Sequence, residues 1–259
     1  MTDQVLIDLT GGVLTLTLNR PGKKNALSGE MYEALGDAIN GANTNPAVRC
    51  ILIQANGDMF TAGNDLSSFQ AANAGAPEPG GERRSGSALI NALARAEKPV
   101  VAAVNGRAVG VGTTMLLHCD LVFLAEDALL TTPFVNLALV PEAASSILLP
   151  ARIGHARAFA MFVLGEAVDA HKAEAWGIAN AVVPAGDLRA QARAAADAVA
   201  ARPPAAVTIT KSLMRETARL AQRIQDEGVH FAAQLKSAEA AEAFAAFREK
   251  RQPDFSKVS

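Results

Sequence analysis

Cysteine is nearly absent from this chain, occurring only at positions 50 and 119. That is too little for a disulfide framework or a thiolate metal cage. Cys50 sits in an apolar strand pattern and Cys119 just before another, so both are expected as buried free thiols. The four histidines, His118, His155, His171 and His230, show no ligand spacing, and no metal is expected. His118-Cys119-Asp120 sets a base beside a nucleophile, but neighbouring residues on a strand point to opposite faces and give no triad geometry. Neither sign of charge dominates. The formal net charge is −2 and the pI about 6.1, which leaves no footprint for nucleic acid or an anionic membrane. No apolar run reaches the roughly 18 residues of a spanning helix. Met1-Thr2-Asp3-Gln4 lacks the basic and apolar regions of a secretory signal, and Ser256-Lys257-Val258-Ser259 is not a peroxisomal address. A cytoplasmic protein without nucleic-acid or membrane partners is expected. Rossmann and P-loop phosphate motifs are missing as well.

What is present is core. Of 259 residues, 50% are apolar, enough for one large domain or a domain with an extension. Val5–Leu9, Gly11-Gly12 and Val13–Leu18 read as a β-hairpin with a glycine turn. Ser28 is a candidate cap for a helix whose Met31, Leu35, Ala38, Ile39 and Ala42 share one face. Pro46 closes that region before the Cys50 strand. Ala71 to Glu82, rich in Gly, Pro and Ala, reads as a surface loop. Strands and helices then alternate. From about Asp187 the chain is Ala-rich and helical, broken at Arg202-Pro203-Pro204. This order fits several α/β arrangements, and periodicity does not choose among them.

Two stretches share one form, an apolar strand entering a tight turn of small residues ahead of a helix. Cys50–Gln54 leads into Met59-Phe60-Thr61-Ala62-Gly63-Asn64-Asp65-Leu66, and Pro99–Val104 leads into Asn105-Gly106-Arg107-Ala108-Val109-Gly110-Val111-Gly112. Glycine lets such corners turn sharply and approach a ligand. A helix start leaves free N–H groups and a positive dipole end. Two N–H groups converging on one oxygen would make an oxyanion trap. The alternative is a pair of ordinary strand-to-helix turns.

The pair resembles the enoyl-CoA hydratase/isomerase (crotonase) superfamily, and the likeness continues elsewhere. Asn19-Arg20-Pro21-Gly22-Lys23-Lys24-Asn25-Ala26-Leu27 looks like its CoA-contacting loop. Cys119-Asp120-Leu121-Val122, Gly165 through Gly177 and Val182-Val183-Pro184 follow later landmarks, and Ala246–Arg251 resembles the C-terminal helix. The resemblance implies an α/β crotonase spiral of repeated ββα units over residues 1–195, with a helical trimerisation and cap region over 196–259. It implies an acyl-CoA thioester substrate, a homotrimer or dimer of trimers, and no cofactor, coenzyme A being part of the substrate. Backbone N–H groups of Asn64 and Val111 would hold the thioester oxygen. Ala26, Ala62, Gly63, Asp65, Leu66 and Gly110 would border the ligand, with Phe134 at the acyl end. Lys23 and Lys24 suit phosphate as point charges, though any two surface lysines fit that description. Lys250 looks like the family lysine that reaches the CoA of a neighbouring subunit. Phe244 and Phe247 are read as packing residues first and ligand neighbours second. The Ala71–Glu82 loop becomes a candidate lid.

The chain departs from the hydratase pattern at both glutamates, whose positions fall on Thr114 and Phe134. Neither side chain can act as a carboxylate acid or base, and a phenyl ring would displace the water that hydration needs. Another acid is available in Leu139-Val140-Pro141-Glu142-Ala143-Ala144-Ser145-Ser146, a run that resembles the Δ3,Δ2-enoyl-CoA isomerase branch, where the matching glutamate shuttles the proton. That branch belongs to fatty-acid β-oxidation. Apolar neighbours would raise the Glu142 pKa and a nearby helix start would lower it, so sequence leaves the direction open. The competing reading makes Glu142 a helix-capping acid. An isomerase working through Glu142 is the expectation. Its rivals are a hydratase or another acyl-CoA lyase or hydrolase using a different base, and a catalytically silent acyl-CoA-binding protein.

Overall fold

The structure, a computed structural model, describes residues 3–65 and 85–258. Leu66 and the Ala71–Glu82 loop lie outside the described residues. In chain order the strands are β1 (Val5–Thr10), β2 (Val13–Leu18), β3 (Cys50–Ala55), β4 (Val100–Val104), β5 (Arg107–Val109), β6 (Leu121–Ala125), β7 (Leu129–Thr131), β8 (Val168–Asp169) and β9 (Ala181–Val183). The expected hairpin forms, with β1 antiparallel to β2 across Gly11-Gly12. From β2 on the main sheet is parallel, in the order β1-β2-β3-β4-β6-β9. A second sheet, β5-β7-β8, lies beside it.

Successive residues of a strand face opposite sides, and here both sides are covered. Leu16, Ile51, Ile53, Ala102 and Val104 enter the larger core. Val13, Cys50, Leu52, Val101 and Ala103 enter a smaller one, closed by helix Leu188–Ala200 through Leu188, Ala192, Ala196 and Ala200. This is why β3 and β4 read as unbroken apolar runs. Cys50 and Cys119 are free and buried, and burial pushes both thiols up to about 12.

Helix Gly29–Thr44 starts at Ser28, whose hydroxyl accepts the Met31 N–H at 3.4 Å. Its inner face carries Met31, Leu35, Ile39 and Ala42 as the periodicity requires, together with Tyr32. Ala38 is only partly buried. The β4–β5 pair runs into helix Val111–Thr114, and β6–β7 into the turns before helix Ser145–Ile153. Thr61 extends the second sheet by bridging Ala108 in parallel, so β3 has the same kind of companion. This is the repeated ββα arrangement.

Toward the C-terminus, helix Leu188–Ala200 runs across residue 195, so a division there falls inside an element. The chain breaks at Pro203 and continues as helices Pro204–Leu213, Thr217–Leu235 and Ala238–Glu249. Ala240, Ala243 and Phe244 of the last helix join the larger core. Phe247 does not pack as expected: it sits in the final helical turn, past that buried stripe, and is 60% exposed. Among the described residues no helix is long and apolar enough to cross a membrane.

Candidate active site

The two corners are built against each other. Thr61 donates its N–H to the Arg107 carbonyl and accepts from the Val109 N–H, each at 3.1 Å, which fixes Thr61 beside Ala108. Three residues further along each chain lie Asn64 and Val111. Gly63 takes φ 86°, and a Cβ there would come within 2.7 Å of the Val109 carbonyl oxygen. A Cβ on Gly112 would meet the Thr61 methyl at 2.3 Å. The glycines therefore serve mutual approach of the corners as well as turning. Gly110, at φ 56°, donates to the Thr131 carbonyl, and its own carbonyl accepts from Thr113 and Thr114. Val111 opens the helix, where an N–H has no intrahelical acceptor. At the other corner it is Gly63 and Asp65 that pair with Leu27, by its N–H and its carbonyl. The Asn64 N–H lies between these bonds, on the side away from Leu27.

The Asn19–Leu27 loop wraps around Asn25, a buried residue in left-handed conformation. Its amide donates to the Asn56 and Met59 carbonyls, both at 2.8 Å, and accepts from the Arg20 N–H. The loop thereby docks on the exit of β3. Ala62 donates to the Lys24 carbonyl at 2.9 Å, and the Ala26 carbonyl accepts from Arg20. Arg20 also pairs with Asp65 at 3.0 Å, so Asp65 ties loop to corner. Lys23 is exposed, while Lys24 forms an exposed ion pair with Asp58 at 2.7 Å.

Glu142 is partly buried, and the Thr114 hydroxyl donates to its Oε1 at 2.5 Å. Burial, with a smaller push from Glu227, raises its carboxyl to about 7 against the lowering effect of that hydrogen bond. The question left open by sequence is decided by who caps the following helix. Glu227 does: its carboxylate accepts the Ala144 N–H at 2.6 Å and the Ser146 N–H at 3.0 Å. Glu142 is left free of the capping role. Thr114 ties Glu142 to the helix that Val111 opens, and a carboxyl raised to about 7 can exchange a proton near neutral pH.

A family model described as enoyl-CoA hydratase/isomerase matches residues 8–258. The chain belongs to that family. It is 33% identical over 259 residues to 1,2-epoxyphenylacetyl-CoA isomerase of Escherichia coli (strain K12), covering 98% of this chain and 99% of that protein. It is 34% identical over 216 residues to enoyl-CoA delta isomerase 2 of Rattus norvegicus, covering 82% of this chain and 54% of the relative. Among solved structures, an enoyl-CoA hydratase/isomerase from Pseudoalteromonas atlantica T6c superposes with a TM-score of 0.92 at 41% identity, over 98% of this chain and 100% of that one. The fold is the crotonase fold.

Within this hydratase/isomerase framework, Phe134 is buried, its ring tilted against Phe162 at 6.2 Å between centroids. Phe247 and Lys250 stand exposed at the end of the last helix, Lys250 as a left-handed cap. No ion pair or side-chain hydrogen bond among the described residues links either to the corners. Two residues, Tyr32 and Glu227, carry no motif in the sequence, and a third, Thr114, has a role its motif position does not disclose. Tyr32 is buried and donates to Asn64 Oδ1; burial and then the charge of Glu142 hold its hydroxyl well above the usual range. Thr114 stands in sequence only as a missing glutamate, whereas its hydroxyl donates to Glu142. Glu227 looks in sequence like any acid of a surface helix, and only its burial at 6% exposure marks it. Among the described residues no three His, Cys, Asp or Glu gather as a metal site.

Proposed function

We propose that this family member is a Δ3,Δ2-enoyl-CoA isomerase in which Glu142 removes a proton from C2 of a 3-enoyl thioester and returns it at C4. The observation that carries this is a partly buried carboxyl hydrogen-bonded by Thr114 and raised to about 7, with Thr114 and Phe134 at the positions that the resemblance gives the hydratase pair. The C2–H bond breaks and its electron pair spreads over the thioester carbonyl and the C3–C4 double bond. The dienolate oxygen receives the N–H groups of Asn64 and Val111. A new C4–H bond then leaves a C2–C3 double bond and regenerates the carboxylate. Nothing is gained or lost overall, so one acid suffices. Hydration would also need a placed water, whereas the Phe134 ring fills one position and the Thr114 hydroxyl is committed to Glu142. The name of the Rattus norvegicus relative, enoyl-CoA delta isomerase 2, supports the same reading, and that of the Escherichia coli relative supports isomerisation of an acyl-CoA more broadly.

Lys23 and Lys24 would meet the CoA phosphates. Lys24 would leave Asp58 at little cost, because an exposed ion pair contributes only about 0–1 kcal/mol. Ala26, Ala62, Gly63, Asp65 and Gly110, in the loop and at the two corners, would border the ligand. Ile209, Leu213, Met214 and Val229 are exposed on the C-terminal helices, which suits assembly as a homotrimer or dimer of trimers with Lys250 turned to a neighbour.

The test is to incubate pure protein separately with a 3-enoyl-CoA and a 2-enoyl-CoA. Double-bond migration is expected. Hydration of the 2-enoyl-CoA as the main activity would replace this reading with a hydratase, and binding without turnover with a silent acyl-CoA-binding protein.

A further inference from the structure

We infer that Glu227 and His118 are positioning residues for Glu142, clamping from two sides the strained turn that carries it. The inference rests on Glu142 being the proton carrier. The turn after Glu142 is built from two successive alanines in left-handed backbone, Ala143 at φ 65° and Ala144 at φ 54°. L-residues with a Cβ hold that conformation only when their surroundings impose it. Ala144 is also the N-cap of helix Ser145–Ile153 and has no side-chain oxygen to offer the free N–H groups. Local sequence therefore supplies neither the turn nor the cap.

Both come from elsewhere. Glu227, on helix Thr217–Leu235, takes the Ala144 and Ser146 N–H groups on its two carboxylate oxygens, at 2.6 and 3.0 Å. From the other side His118 Nε2 lies 2.7 Å from the Ala143 carbonyl oxygen. Its tautomer follows from its second partner. Arg215 approaches His118 Nδ1 at 2.6 Å, and a guanidinium can only donate, so Nδ1 accepts and Nε2 carries the hydrogen. Burial, then the positive charge of Arg215, hold His118 neutral, its pKa pushed down to about 3, so this donor persists across the working pH range. The peptide between the two left-handed alanines is thus held at both its carbonyl and its N–H, the Ser146 N–H is held by the same carboxylate, and Glu142 is the next residue back. Released, the alanines would relax toward right-handed or extended backbone and turn the carboxyl away from the Thr114 hydroxyl.

The charges around this device are few. Glu142 faces Glu227 and the Tyr32 hydroxyl; His118 faces Arg215, Arg152 and Lys211; Glu227 also has Arg223 near it. Glu227 is the one negative charge that raises Glu142, so it acts on proton affinity as well as on place.

The test compares Glu227→Gln, Glu227→Asp, His118→Gln and Glu142→Gln in the full-length protein. Readouts are isomerase kcat against pH and Kd for a saturated acyl-CoA thioether. Glu227→Gln keeps volume and one acceptor but loses the second acceptor and the charge. Its kcat should fall about 10²-fold, the scale of an ångström-sized misplacement. Kd should be unchanged, and the acid limb of kcat should move to lower pH, because removing a nearby negative charge eases ionisation of Glu142. Glu227→Asp should keep the limb in place and recover part of kcat. A uniform loss of activity with an unmoved limb, or a wild-type kcat, in Glu227→Gln overturns the inference. If that protein does not fold, His118→Gln decides: reduced kcat with unchanged Kd supports the clamp and wild-type kcat refutes it. Glu142→Gln separates the two levels. If it stays active, the reading of Glu142 itself fails; if it is inactive while Glu227→Gln and His118→Gln behave as wild type, only the clamp fails.

Discussion

At the Gly63 and Gly110 corners the polar groups are backbone N–H donors, held by main-chain hydrogen bonds to each other, to the Lys24–Leu27 loop and to β7, and by glycines that let the corners touch. At the Pro141–Ser146 turn the polar group is a side chain, held by residues from helices far along the chain. Thr114 lies 28 positions from Glu142, His118 lies 25 from Ala143, and Glu227 lies 83 from Ala144. The proposed role of Asn64 and Val111 uses only their N–H groups, but the Asn64 side chain accepts the Tyr32 hydroxyl and the Val111 side chain is buried in the core, so both positions are constrained by packing rather than by the reaction. The turn tolerates little, since its geometry and proton affinity depend on several partners at once. A donor site built from backbone is set by main-chain pairing between segments. A tuned base is assembled from side chains of several other helices.

Breaking the turn should have the largest effect. Glu142→Gln keeps shape but cannot take the C2 proton, so isomerase kcat should fall about 10²–10⁴-fold while acyl-CoA affinity stays. The same change should stabilise the fold. The pKa of Glu142 is raised in the folded state, so its favourable contribution is complete below the ordinary value of 4.5 and is lost as pH rises through about 7. Glutamine has no such loss, and above that pH the variant should gain on the order of 1–3 kcal/mol by denaturant unfolding. Breaking a corner comes next. Gly63→Val places a Cβ where the Val109 carbonyl stands, in a left-handed backbone, and should displace the Asn64 donor. Loss of one such donor costs about 10²–10³-fold in kcat, here with reduced stability that thermal melting would register. The smallest effect sharpens the contrast. Thr114→Val removes the hydrogen bond that lowers Glu142, so the acid limb of the rate profile should move to higher pH. Activity at pH 7 should drop by less than about tenfold, since one pKa unit is tenfold in ionisation, and should recover in alkaline buffer.

The same contrast governs how much was legible in sequence. The hairpin, the Ser28 cap and the strands entering both corners follow from apolar spacing and glycine placement, which are local properties. Glu142 stood out because an acid amid Leu139, Val140, Ala143 and Ala144 is anomalous and its run resembles a known one. Its proton affinity did not, because two opposing local effects were visible and the deciding acid, Glu227, was not. Helical periodicity places Glu227 on a face but does not say what that face meets. Tyr32 was passed over for the same reason, as one more residue on the inner side of its helix. Thr114 was legible only as an absence, because a hydroxyl acquires meaning from its acceptor.

The most direct measurement is the titration of Glu142 itself. Carbon-13 NMR of glutamate-labelled protein, with the signal assigned by its disappearance in Glu142→Gln, gives the carboxyl pKa; the pH dependence of kcat/KM gives the pKa of the catalytic base. The account predicts that both titrate together near 7. A Glu142 carboxyl that titrates near 4.5, with a rate profile following some other group, would contradict it.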